Sequence, residues 1–471
     1  MYSIFYDLET SDRNTVGQIL NYCFILVDDD LNPIDELSGL VRISRLQLPE
    51  AGAILANRTD VIEHQKIAVD HERDAMKRID AFLAGCIQRA KGAVSFVGYN
   101  SSRFDLPFLR TSLIRNGYNP YYRQKLMPRD LLHVVQKGYL SCEPFRAKVR
   151  SARAGEKKLS LSLETVGRAL GLLDGVQAHE SKADVVLTIE VARWLKREAG
   201  LDAATYEPYE GLKLHSTAGT GAVYTVQEVE YDLASTEFAS EGSFTLLVCD
   251  HKRALWIDLD RYANNRDPSA IRWRSAQKNA FFVSTQASQD RELQSLARAA
   301  IKQFSGVTLS NFFQKTTCDV EQDIYRLDFQ ALDLFCQAVR EGRKEVLAEL
   351  AAPEARVLFT RYRLVAPELD LSVKANRDTF KRYVLYRYGG EMQLARTVED
   401  REQQEGTHHV TLQDMVNSLA RSKDAAAIAG NSEDLKLLDS LESFYRQSEV
   451  FQVAGSELVT SWKTAPISGV A

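Results

Sequence analysis

Tyr6-Asp-Leu-Glu-Thr10 sets two carboxylates two residues apart in strand-like sequence. Residues i and i+2 of a strand share a face, so Asp7 and Glu9 stand side by side at the strand end. Carboxylates that close repel each other unless a cation neutralises them. Mg²⁺ or Mn²⁺, which prefer oxygen ligands, suit such a pair. Taken alone the triplet is a weak signal, because Asp-x-Glu is common on solvated surfaces. Two further segments join it. Gly98-Tyr-Asn-Ser-Ser-Arg-Phe-Asp105 runs from a strand through a Gly/Asn turn to a helix start, with Asp105 where the helix begins. An N-cap role competes for that residue. His179-Glu-Ser-Lys-Ala-Asp184 leads into a helix rich in Val, Leu and Ile. Read separately, His179 is a loop histidine and Asp184 a residue favoured by the helix dipole.

The elements that must position these groups are legible from periodicity. Residues 2–7 read as a strand, and the apolar run 19–27 as a buried one. Asp28–Pro33 is a turn, and Ile34–Ile43 a returning strand. Helices are expected over 70–89, 108–116, 131–138, 159–170 and 183–199, with a strand at 93–99. Strands followed by strand–helix alternation predict a mixed α/β sheet with helices on its faces, over residues 1–200. Residues 201–310 carry Val, Thr, Phe, Tyr and Trp between Gly turns and predict a small β domain, as in Phe244–Cys249 and Ala254–Leu259. Residues 311–471 predict a helical domain, clearest at 331–350, 377–388 and 434–446. The polar stretch 396–409 reads as a surface loop and 464–471 as a frayed tail.

The order Asp-x-Glu, then Asp after a strand and turn, then His-x4-Asp on the last helix resembles that of the DEDDh exonucleases. Neighbouring residues narrow the resemblance to the exonuclease I family: Tyr6–Thr10, Leu48-Pro-Glu-Ala-Gly-Ala-Ile-Leu55, Gly98–Asp105, Arg129-Asp-Leu-Leu132 and His179–Asp184. Beyond residue 200, Ala366–Leu371 and Lys381–Arg387 look like elements of that family's helical domain. The resemblance implies a ribonuclease-H-like nuclease domain, a Src-homology-3-like β domain and a helical domain closing around single-stranded DNA. It implies a monomer that a single-stranded DNA-binding protein recruits. Ser162 stands near where the family places a basic residue on the helix before the third motif.

In that setting Asp7, Glu9, Asp105 and Asp184 are expected to hold two Mg²⁺ or Mn²⁺ ions roughly 3.5–4 Å apart around a scissile phosphate. His179, with an ordinary pKa near neutrality, is expected to take the proton of the attacking water. The expected activity is 3′→5′ release of nucleoside 5′-monophosphates from single-stranded DNA, in repair, recombination or turnover. Thr10, Asn100, Arg103, Phe104, Tyr121 and Tyr122 are candidate nucleic-acid contacts, since single-strand grooves combine cations with aromatic platforms. Arg272-Trp-Arg274, Arg361-Tyr-Arg363 and Tyr386-Arg-Tyr388 are weaker ones, for which a packing role is the commoner outcome. The same carboxylates serve RNA, so an exoribonuclease or a mixed-substrate enzyme is the second reading. A nuclease-fold defence or binding module is the third.

Composition agrees with a globular enzyme. The 471 residues are 45% hydrophobic and 26% charged. The net charge of −5 is mildly unusual for a nucleic-acid binder and natural for a carboxylate-rich metal site. Cys23, Cys86, Cys142, Cys249, Cys318 and Cys336 form no CxxC pair, so a zinc site and a disulfide framework are not expected. With no apolar run long enough for a bilayer and no signal peptide, a cytoplasmic location is expected.

Overall fold

The structure, a computed structural model, describes residues 1–15, 17–152, 158–173, 180–206, 212–231, 238–250, 253–275, 282–284, 286–309, 329–343, 345–346, 353–389 and 410–459. His179, the stretch 396–409 and the tail 464–471 lie outside the described residues.

The first sheet has five strands: β1 (Ser3–Thr10), β2 (Ile19–Val27), β3 (Pro33–Leu40), β4 (Val94–Gly98) and β5 (Leu126–Asp130), in the order β3-β2-β1-β4-β5. β1, β2 and β3 are joined antiparallel, while β4 and β5 run parallel to β1. This is the mixed sheet of the ribonuclease-H-like fold. β2 is buried at every position except Asn21, as a strand covered on both faces must be. β3 keeps Asp35 and Glu36 exposed, which suits a sheet edge.

Alternation along β1 decides which layer meets which side chain. Two short helices, α1 (Ala51–Ala56) and α2 (Val61–Ile67), precede α3 (Glu72–Ala90) and α4 (Asp105–Arg115), and Ile4, Tyr6 and Leu8 pack with α3 and α4. Tyr6 is sandwiched there, with ring centroids 3.8 Å from Phe96 and 5.9 Å from Phe24. Phe5 faces the opposite layer, built from α5 (Leu131–Ser141), α6 (Glu143–Ala152), α7 (Leu163–Ala169) and α8 (Ser181–Ala199). Asp7 and Glu9 share the parity of Phe5 and so point to the α8 side. Gly200 closes α8 in the left-handed region at φ 66°, a conformation that favours glycine. The helix expected over 159–170 is shorter, because Ser162 is its N-cap and accepts the Thr165 amide at 3.2 Å.

The second sheet is antiparallel throughout: β6 (Val223–Val229), β7 (Ala239–Cys249), β8 (Arg253–Asp258), β9 (Ile271–Ser275) and β10 (Phe282–Val283), in the order β10-β6-β7-β8-β9. Trp256 is fully buried on one face with Tyr224 and Phe244. On the other face Leu255 and Ile257 pack against helix Arg291–Gln303.

Helices at Phe329–Glu341, Pro353–Leu364, Lys374–Tyr388, Leu412–Ile428, Ser432–Gln447 and Glu449–Leu458 follow. The last four enclose a core that also contains Leu48, Ala51 and Ile54 from the N-terminal segment. Tyr388 and Tyr445 strengthen that seam. The Tyr388 hydroxyl donates to the Leu46 carbonyl at 2.8 Å, and the Tyr445 hydroxyl donates to the Pro49 carbonyl. Among the described residues no helix is long and apolar enough to cross a membrane.

Candidate active site

β1 brings Asp7 and Glu9 out on the face that α8 covers, and Asp184 lies in the first turn of α8. One ligand oxygen from each of Asp7, Glu9 and Asp184 falls within 4.8 Å of the others. The start of α8 is pinned where it is needed. The Ser181 hydroxyl donates to Asn21 Oδ1 at 2.8 Å, and Asn21 sits opposite Glu9 in the β1–β2 register. Asp105 opens α4 just past the end of β4, the parallel neighbour of β1. It is buried, and its charge acts on both Asp7 and Glu9, but it stands outside the tight triad of ligand atoms. The cluster thus sits at the carboxyl ends of the parallel strands, where open α/β sheets place their ligands.

Electrostatics show what a cation would relieve in the cluster. Burial, then Asp105, Glu9 and Asp184, push the Asp7 carboxyl well above the ordinary carboxylate range. Burial with Asp184 and Asp105 raises Glu9 from 4.5 to about 8. Burial raises Asp105 to about 7, aided by Asp130 and opposed by its own backbone amide and that of Leu8. All the donors are carboxylate oxygens, the set that hard divalent ions take. A cation removes both causes of the shifts, since it replaces water as a ligand and cancels the repulsion. In the metal-free protein, Glu9 and Asp105 keep protons that the unfolded chain has lost above its ordinary carboxylate values. Stability without metal is therefore expected to fall as pH rises from about 5 towards 8. Mn²⁺ or Mg²⁺ is expected to restore it, with the largest gain in melting temperature at the alkaline end and with release of protons. Thermal melts across that range with EDTA or Mn²⁺ test this; a metal gain independent of pH would contradict it.

Asp130 is a residue that the motif reading passed over. It ends β5 and caps α5, and its carboxylate accepts the amides of Asn100 (2.8 Å), Ser102 (3.0 Å) and Leu132 (3.1 Å) and the Ser102 hydroxyl (2.6 Å). These bonds hold the turn that delivers Asp105, with Asn100 in the left-handed region at φ 55°. Gly98 permits the turn's close approach. A Cβ there would lie 2.5 Å from Ser101 Cβ and 3.1 Å from the Tyr6 ring. The available signal was Arg129-Asp-Leu-Leu132, given above only as part of the family resemblance. Asp130→Ala is expected to destabilise the fold by roughly 2–4 kcal/mol, the cost of orphaning several buried charge-assisted bonds. Turnover should fall at least about tenfold through a loosened Asp105. Denaturant melts and initial rates check both.

The candidate substrate contacts divide by burial. Arg103 and Asn100 are exposed at the turn. Phe104 is half-buried against Phe108, with centroids 5.0 Å apart, at the margin of the core. Thr10 is buried, and its hydroxyl donates to the Asp12 carbonyl at 2.9 Å. Tyr122 packs into the α3–α4 core and donates to Asp80 at 3.0 Å. Tyr121 lies under the Arg110 guanidinium, 4.9 Å from its ring, against the C-terminal helices. Tyr386, Arg387 and Tyr388 are buried, which is the packing role expected as the commoner outcome for that cluster. Arg361 is likewise buried, beside Tyr362, whose ring lies 3.9 Å from the Arg73 guanidinium. Arg272 and Arg274 pair with Glu228, and Trp273 between them is 45% exposed.

A mixed sheet with acidic groups gathered at the ends of its parallel strands has the ribonuclease-H-like arrangement, and three of its carboxylates lie close enough together to share a cation. Solved structures extend the likeness over nearly all of the chain. The zinc-bound complex of Escherichia coli exonuclease I with single-stranded DNA matches with TM-score 0.67 and 16% identity, over 94% of this chain and 98% of that one. A further exonuclease I structure matches with TM-score 0.64 and 17% identity, over 95% and 99%. Exonuclease I from Methylocaldum szegediense matches with TM-score 0.62 and 19% identity, over 94% and 99%. No family sequence model and no curated protein matches the chain. The chain has the exonuclease I fold: a ribonuclease-H-like core, a Src-homology-3-like β unit and a helical C-terminal region.

Proposed function

We propose that this chain is a metal-dependent 3′→5′ exonuclease of the exonuclease I family that degrades single-stranded DNA to nucleoside 5′-monophosphates. The observation that carries the reading is the convergence of Asp7, Glu9 and Asp184 within 4.8 Å, with Asp105 acting on them, in a chain that follows the exonuclease I fold over 94% of its length. The solved relatives include complexes with single-stranded DNA, one of them with zinc bound, and a metal-free form.

Asp7, Glu9, Asp105 and Asp184 would hold two Mg²⁺ or Mn²⁺ ions. When bound, such ions supply Lewis acidity at the phosphate and lower the pKa of water. His179, which precedes Asp184 by five residues, accepts the proton of the attacking water as general base. Arg103, exposed at the turn before Asp105, would pair with backbone phosphate. Trp273 offers the most open aromatic face of the clusters outside the first sheet and its helices. Roles in repair, recombination or turnover, recruitment by a single-stranded DNA-binding protein, and action as a monomer belong to the same proposal. So do the boundaries 1–200, 201–310 and 311–471.

The test is direct. End-labelled single-stranded DNA, duplex DNA and RNA are incubated with Mg²⁺, Mn²⁺ or EDTA. Metal-dependent mononucleotide release from the 3′ end of single-stranded DNA is the expected result. Preference for RNA would move the assignment to an exoribonuclease. Absence of metal-dependent release from every substrate would favour a binding module.

A further inference from the structure

Arg361 entered as a candidate substrate contact, but it is 3% exposed and faces inward. Its Nη1 lies 3.3 Å from Glu72 Oε2, while Arg115 Nη2 donates to Glu72 Oε1. Glu72, itself 3% exposed, therefore bridges two buried guanidiniums, one oxygen to each. Burial alone would raise the Glu72 carboxyl; the two cations outweigh it and leave the group lowered and ionised. The three residues come from different places: Glu72 from α3, Arg115 from the last turn of α4, and Arg361 from the C-terminal helix Pro353–Leu364.

Arg115 and Asp105 are the two ends of one helix. Other contacts bind the Arg115 end to the same C-terminal region. Ile114 packs with Phe335, Val339 and Leu358. Arg340 donates to the Gly117 carbonyl, and Asn119 Nδ2 donates to Asp333 at 2.7 Å. Gly117 sits at φ 86°, and a Cβ there would meet the Cys336 carbonyl at 2.9 Å, so the C-terminal helices touch the backbone itself. Helix α4 is a rod about 15 Å long at 1.5 Å per residue. A tilt of roughly 4° about its Arg115 end would move Asp105 by about 1 Å. A displacement of that size suffices to cost about 10²-fold in a reaction that depends on placement.

We propose that Arg361 is a positioning residue: through Glu72 and Arg115 it sets the tilt of α4, and thereby the place of Asp105 against Asp7 and Glu9. The proposal rests on the metal-site reading above, and it makes the C-terminal helices part of the catalytic scaffold as well as a wall for substrate. Arg361 is buried against Glu72, so its loss should spare DNA affinity and disturb the metal site.

The experiment compares Arg361→Met and Arg361→Lys with Leu255→Ala, a core truncation in the second sheet that serves as a control for stability loss alone. Mn²⁺ affinity of the metal-free protein is measured by calorimetry below each melting temperature, beside kcat and KM on single-stranded DNA. Arg361→Met is expected to weaken Mn²⁺ binding about tenfold and lower kcat about 10–100-fold, with KM within roughly twofold. Arg361→Lys, which keeps the charge but not the planar fork, should fall between Met and wild type. Leu255→Ala should lose melting temperature and keep Mn²⁺ affinity. Wild-type Mn²⁺ affinity in Arg361→Met overturns the proposal, as does an equal loss in Leu255→Ala. If Arg361→Met does not fold, Arg361→Lys decides by the same titration. Wild-type protein that binds Mn²⁺ but cuts no DNA removes the nuclease reading and leaves the positioning role to the metal titration; wild-type protein that binds no Mn²⁺ overturns both.

Discussion

Asp7→Asn is expected to reduce turnover by about 10³-fold or more while the metal-free protein becomes harder to melt. Asp7 lies on the central strand and interacts with the charges of Asp105, Glu9 and Asp184. Removing its charge takes away a ligand that an amide replaces poorly for a hard cation. Lewis-acid assistance is worth several kcal/mol; taking it as about 4 kcal/mol gives roughly 10³-fold at 1.36 kcal/mol per decade. The same change removes a half-buried carboxylate that repels its neighbours. Without metal, Asp7→Asn should therefore gain melting temperature, at about 2–4 °C for each kcal/mol of strain released in a domain of this size. With saturating Mn²⁺ the order should invert, because only wild type is fully stabilised by the ion. Melts with and without Mn²⁺, beside rates on labelled DNA, read all of this. A variant that is less stable without metal and still active would show that Asp7 is structural.

The second large effect concerns His179. His179→Ala should bind single-stranded DNA with an affinity close to wild type and lose about 10²–10⁴ of turnover, the usual contribution of a positioned general base. His179→Ala should recover in part with added imidazole or at alkaline pH, where hydroxide replaces the base. Pre-steady-state rates and binding anisotropy separate the two quantities. Full activity in His179→Ala would remove the histidine from the mechanism and leave the carboxylates to be judged by Asp7→Asn.

Much of the site was legible because it rests on short-range geometry. Asp7 and Glu9 share a strand face by a two-residue period, Asp105 opens a helix after a Gly/Asn turn, and Asp184 falls in a first helical turn. The buried run 19–27 gave its strand with the same bounds. β5 was not legible: Leu-Met-Pro-Arg-Asp is short, contains proline and a charged pair, and becomes a strand only by pairing with β4. The short helices Ala51–Ala56 and Val61–Ile67 escaped for a similar reason, since their apolar faces are completed by the C-terminal helices.

The sequence by itself determined the chemical inventory, the order of the acidic motifs and the alternation that aims them, because those depend on periods of two and 3.6 residues. Only the tertiary structure decided which charged and aromatic residues face inward. Tyr388 spans 342 residues to bond the Leu46 carbonyl, and Arg361 spans 289 to reach Glu72. Burial is a property of what the rest of the chain places nearby, and no local pattern encodes a partner that far along it.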